Sequence, residues 1–181
     1  MFEIDLLGRG GSLHHWNGRR DGVHVWALNH TFLLTNGIKV DRIFAMHDFS
    51  EYDPGKLPEL VGDWDLGVKA LNDSEAEIVC FQNWKSLKKG FRYPFEFIED
   101  ETGCNYFVNS MAYALALACV EGVKKINLYG CDFDKHNHDL SEVSGVEFWL
   151  GYCRGQGIEI TNTPTSLLMP EYRYCKEKDC E

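Results

Sequence analysis

Short apolar runs recur along the chain, and each stops at a glycine, an amide side chain or a histidine. Phe2–Leu7, Val23–Leu28, Arg42–Met46, Glu77–Phe81, Lys125–Tyr129 and Ile158–Thr161 have the length and apolar content of buried β-strands. Between them lie segments with helical spacing. Tyr106–Glu121 is rich in Ala and Leu, offers Ser110 as a cap and closes at Gly122. It is apolar on most faces, so it is expected to pack against a sheet. Glu142–Gln156 places Val146, Trp149, Leu150 and Cys153 on one side and closes at Gly157. Shorter candidates are Ser12–Arg19, Pro58–Asp63 and Trp64–Leu71.

Strands alternating with helices predict an α/β fold: one Rossmann-like domain over 1–170, with a mostly parallel sheet and helices on both faces. Segment 83–104, rich in Lys, Gly and aromatic residues, fits the alternation poorly and reads as a small insertion or lid. Residues 171–181 form a charged tail. The chain has no internal repeat and no low-complexity tract.

Ligands of parallel sheets sit at the carboxyl ends of the strands. The first strand runs into Gly8-Arg9-Gly10-Gly11-Ser12-Leu13. Such a turn is either a tight structural bend or a cradle whose backbone N–H groups hold a phosphate. It is not a P-loop, because no Gly-Lys-Ser/Thr ends it. It is not the dinucleotide fingerprint either, since Leu13 stands where the third glycine belongs.

The other strand ends bring Asn29 and His30, then His47, Asp48 and Ser50, then Gly130 to Asp139, and finally Asn162, Thr163, Thr165 and Ser166. Amides and hydroxyls suit a ribose, a base edge or a sugar; histidines and carboxylates suit proton transfer or a metal. Each also has a structural reading. Asn29 can cap a turn, Asp48 can cap a helix, and Asp132 can hold its loop by accepting from backbone N–H groups. His14 and His15 read as partly exposed helix residues, and His24 as structural. The run Asp132-Phe133-Asp134-Lys135-His136-Asn137-His138-Asp139 is the densest titratable cluster. It reads as a solvated loop, as the source of a general base, or as a divalent-metal site through His136, His138 and a carboxylate.

Composition narrows the partners. The chain has 181 residues and a net charge of −10, which speaks against a protein that grips nucleic-acid backbones. A local basic pocket stays open, because Arg9, Arg19 and Arg20 lie near the glycine turn. No apolar run approaches the length of a membrane span, and no signal peptide precedes the first strand. The 7 cysteines are scattered without C-x-x-C spacing, so free thiols in a reducing cytoplasm are expected.

Several blocks then fall in a familiar order. They are the strand with Gly-x-Gly-x-Ser-Leu, the strand ending in Asn29, and a Ser-initiated Ala-rich helix. Gly122-Val-Lys-Lys-Ile-Asn-Leu-Tyr-Gly-Cys-Asp-Phe133 follows, and the last strand ends in Thr-Pro-Thr-Ser-Leu-Leu. This order resembles the small bacterial sialyltransferases, which use a CMP-activated sugar, and the wider group of motility-accessory-factor glycosyltransferases.

The resemblance implies a metal-independent, nucleotide-sugar-dependent glycosyltransferase that needs no cofactor. Gly8, Gly10, Gly11 and Ser12 would lie against the donor phosphate and ribose, and Asn29 would bond the nucleotide. Asn109 and Ser110 would contact base or ribose, and Gly130 and Asp132 would shape the pocket floor. His136 or His138 would be the general base. Tyrosine hydroxyls would act on the leaving phosphate, with Tyr93 and Tyr106 as candidates.

A second resemblance, to pterin pyrophosphokinases, implies Mg²⁺ and ATP held through Asp48, His136 and His138. A nucleotide-binding module without chemistry is the third reading. The acceptor is undetermined, and self-association of this short aromatic-rich chain is open.

Overall fold

The computed structural model describes residues 2–47, 64–133, 140–163, 166 and 168. Its strands are β1 (Glu3–Leu7), β2 (Val23–Leu28), β3 (Arg42–Ala45), β4 (Glu77–Cys80), β5 (Phe91–Arg92), β6 (Lys125–Tyr129) and β7 (Glu159–Thr161). The helices are α1 (Trp64–Asp73), α2 (Phe95–Thr102), α3 (Ser110–Val120) and α4 (Leu140–Gly155). The strands form one 7-stranded sheet in the order β5-β4-β3-β2-β1-β6-β7. Every pairing is parallel, and Glu3 stands opposite both Val23 and Lys125. The expected α/β Rossmann-like fold is therefore what the chain adopts.

Alternation along the strands divides the core into two layers. Ile4 and Leu6 of β1, with Trp26, Phe44 and Val79, face α2, α3 and α4. Leu7, Val25, Ala27, Ile43 and Ala45 face the other side, where α1 and two short 3₁₀ segments lie. The 3₁₀ segments that follow β1 and β2, and α1, thus lie on one face, while α4, between β6 and β7, lies on the other. The direction of winding reverses between β1 and β6, which opens a crevice at the carboxyl ends of those two strands.

One buried carboxylate fastens this boundary. Asp5 is fully buried on β1. Its Oδ1 accepts from Arg20 Nη2 at 2.6 Å and from Asn127 Nδ2 at 2.9 Å, and its Oδ2 accepts from Trp16 Nε1 at 3.1 Å. A charge in a core needs such partners, and here they tie β1 to β6 and to the segment entering β2.

The structure departs from the sequence reading in several places. The Ala-rich helix starts at Ser110, and its cap is Asn109, whose Oδ1 accepts from Ala112 N at 3.0 Å. The segment after the glycine turn is a 3₁₀ helix, Gly11–His15. It stops short because Asn17-Gly18 follows, with Gly18 at φ +97°. Segment 83–104 carries β5, which extends the sheet edge, and α2. The proposed Pro58–Asp63 helix lies outside the described residues. Among the described residues, no helix is long and apolar enough to cross a membrane.

Candidate functional site

The crevice is closed at its base by two glycines. Gly8 donates its N–H to Tyr129 O at 2.8 Å, and Gly10 donates to Gly130 O at 2.7 Å. A Cβ on Gly8 would overlap the Gly130 carbonyl, and one on Gly130 would overlap the Gly8 carbonyl. Gly130 also holds φ +66°, the left-handed region that glycine enters freely. The loops after β1 and β6 therefore meet backbone to backbone.

Asp132 fills the glycine turn from within. Its Oδ2 accepts from Ser12 N at 2.7 Å, and a Cβ on Gly10 would lie 2.9 Å from its Cγ. Ser12 is buried, and its Oγ accepts from Gly130 N at 2.9 Å. The acceptor that Ser12 N–H meets in the turn is the chain's own carboxylate. The remaining oxygen, Asp132 Oδ1, is buried with no hydrogen-bond partner among the described residues.

Above this floor lies a cavity of about 1020 Å³. Gly8, Gly10, Gly11, Asn29, Asn109, Ser110, Gly130 and Asp132 all line it. Ser12 stands just beneath, bracing the loops. Asn29 adopts φ 49° and spans three elements. Its Nδ2 donates to Ser110 Oγ at 2.8 Å, and its Oδ1 accepts from Met46 N at 3.2 Å. The ends of β2 and β3 are thereby held against the N-terminus of α3. That terminus opens into the cavity through Asn109, Ser110 and Met111, where a helix favours negative charge.

The cavity also contains Arg9, His30 and His47, which the sequence placed near the glycine turn and at strand ends without a specific role, and Thr31, Tyr113 and Glu142, which it did not single out. Their signal was positional. Arg9 sits inside the glycine turn, His30, Thr31 and His47 follow strand ends, and Tyr113 lies four residues after Asn109 on the same helix face. Burial, reinforced by the Arg9 cation and by His47, pulls the His30 imidazole down to about 4, so the ring is neutral at physiological pH. Desolvation lowers His47 as well. Thr31 is fully buried, and its Oγ1 has no hydrogen-bond partner among the described residues.

Other candidates lie elsewhere. Tyr93 is buried in the core, and its hydroxyl donates to Tyr113 O at 2.9 Å, so it does not reach the cavity. Tyr106 packs edge-on against Phe148, with ring centroids 5.8 Å apart, outside the cavity lining. Ser166 supports the site from behind by donating to Cys131 O at 3.0 Å. Asp48, Ser50, His136, His138 and Thr165 lie outside the described residues. Among the described residues, no group of three His, Cys, Asp or Glu side chains is placed to hold a metal.

No protein-family model matches the chain, and no curated protein matches it significantly. Solved structures do. The sialyltransferase CstII from Campylobacter jejuni, in complex with the substrate analogue cytidine-5'-monophosphate, aligns with a TM-score of 0.54 at 19% identity. That match covers 93% of this chain and 82% of the other. The same enzyme in complex with CMP-3FNeuAc aligns with a TM-score of 0.54 at 19% identity, over 93% and 83% of the two chains. A Tyr-to-Phe variant of it in complex with CMP gives a TM-score of 0.55 at 18% identity, over 93% and 84%. At these identities the likeness is one of fold, and it extends over nearly the whole chain.

Proposed function

We propose that the cavity at the β1–β6 boundary holds a CMP-type nucleotide-sugar donor, and that the protein is a metal-independent, sialyltransferase-like glycosyltransferase. The observation that carries this reading is the convergence of the glycine turn, Asn29, Asn109, Ser110 and Gly130 on one cavity. These come from four separate stretches of sequence, and the resemblance gave all of them to the nucleotide. The cavity's volume suits a nucleotide with a sugar attached. The likeness of fold to an enzyme solved with CMP and with a CMP-sugar analogue adds support.

In this reading Ser110 and Asn109 present the α3 N-terminus to the nucleotide, and Asn29 holds that terminus in place. Transfer breaks the bond between the sugar's anomeric carbon and the phosphate oxygen, and the electron pair stays on the phosphate. The acceptor hydroxyl oxygen forms the new bond at that carbon and gives its proton to His136 or His138. Metal independence and the histidine base rest on the family resemblance.

Measuring CMP release from a CMP-activated sugar tests the chemistry. His136→Ala or His138→Ala is expected to abolish release while CMP binding persists. Full activity in both variants would contradict the histidine base.

A further inference from the structure

We propose that Arg9, rather than the N–H groups of the glycine turn, carries the donor's phosphate. The inference rests on the nucleotide reading of the cavity and assigns one ligand group within it. The turn's donors are largely committed inside the protein. Gly8 N bonds Tyr129 O at the end of β6, Gly10 N bonds Gly130 O, Leu13 N bonds Gly10 O, and Ser12 N bonds Asp132. The Asp132 carboxylate also brings a negative charge to that spot and repels a second anion there.

Arg9 has the opposite character. It is exposed, lines the cavity and makes no ion pair among the described residues. Arg9 lines the same cavity as His30, and its positive charge adds to the burial that depresses the proton affinity of that ring. The N-terminus of α3, on the same cavity, adds a favourable potential. A guanidinium meets a phosphate with two parallel hydrogen bonds. Thr31, buried and lining the same cavity, has an Oγ1 with no hydrogen-bond partner among the described residues and supplies a further polar group.

The charge change of the proposed reaction fits this placement. Breaking the sugar–oxygen bond turns a phosphodiester monoanion into a monoester dianion, and a fixed cation binds the second more strongly.

Titration calorimetry with CMP and with cytidine, on the wild type, Arg9→Gln and Arg9→Lys, tests the assignment. Arg9→Gln is expected to weaken CMP about tenfold or more while changing cytidine by less than about twofold, and Arg9→Lys to lie between. The CMP affinity of the wild type is expected to fall more steeply with salt than that of Arg9→Gln. Thermal melts confirm that both variants fold. Equal losses for CMP and cytidine would make Arg9 a shaping residue and overturn the proposal, as would an unchanged CMP affinity. A wild type that binds neither compound would instead overturn the nucleotide reading itself.

Discussion

Ser12 donates its backbone N–H to Asp132 Oδ2 at 2.7 Å, across 120 residues of sequence. This bond joins the loops after β1 and β6 and decides where the glycine turn spends its donors. Removing the carboxylate leaves the N–H of the buried Ser12 without its acceptor. Asp132→Ala is therefore expected to lower stability by about 1–3 kcal/mol, and Asp132→Asn by less, because an amide oxygen still accepts from Ser12. Urea unfolding midpoints check the order of the two variants.

The two facing glycines give a steeper test. Gly130→Ala meets both the Gly8 carbonyl and an unfavourable φ of +66°. It is expected to cost about 2–4 kcal/mol. At Gly11 a Cβ would stand 3.9 Å from Asp132 Oδ2, an ordinary contact. Gly11→Ala should stay within about 1 kcal/mol of the wild type. Equal costs, again from urea unfolding, would show that the loops do not meet as described.

Asn29 combines a left-handed backbone with a side-chain clasp between Ser110 and Met46. Asn29→Gly keeps the backbone and loses the clasp, so it should cost about 1–2 kcal/mol. Asn29→Ala loses the clasp and strains the backbone, adding about 1 kcal/mol. Both should weaken CMP binding, measured by calorimetry, because the α3 N-terminus is no longer held against β2.

Stability should fall on mild acidification. His30 is held near 4 when folded, below its ordinary value of 6.5, so between those limits the unfolded chain binds a proton that the folded one does not. Acid therefore favours unfolding as pH drops from about 6.5 to about 4, and His47 adds in the same direction. Replacing His30 with Gln should flatten the dependence of the melting temperature on pH across this window. An unchanged slope would contradict the buried, neutral His30.

Much of this architecture was readable in advance. Val23–Leu28 and Lys125–Tyr129 are strands with the bounds their apolar runs predicted, because buried parallel strands are continuous apolar stretches. β5 was missed because two residues carry no periodicity, and α2 because its aromatic residues read as a lid. The strand-end residues lie together because a parallel sheet delivers them to one edge. Sequence could not reveal that Asp132 would reach back 120 residues to Ser12, since that contact exists only once β1 and β6 are neighbours. Tyr93 failed as a pocket residue for a related reason: its ring fills the space under α3, with its centroid 5.0 Å from that of Tyr113.

A β1–β6 cavity that holds a CMP-type donor without metal binds CMP alike with and without Mg²⁺. The most direct measurement is the thermal shift of the wild type with CMP, CDP, UDP, GDP and ATP, each with and without Mg²⁺. CMP is expected to stabilise the protein to the same extent in the presence and absence of Mg²⁺. Stabilisation by ATP only with Mg²⁺, or no response to any nucleotide, would contradict it.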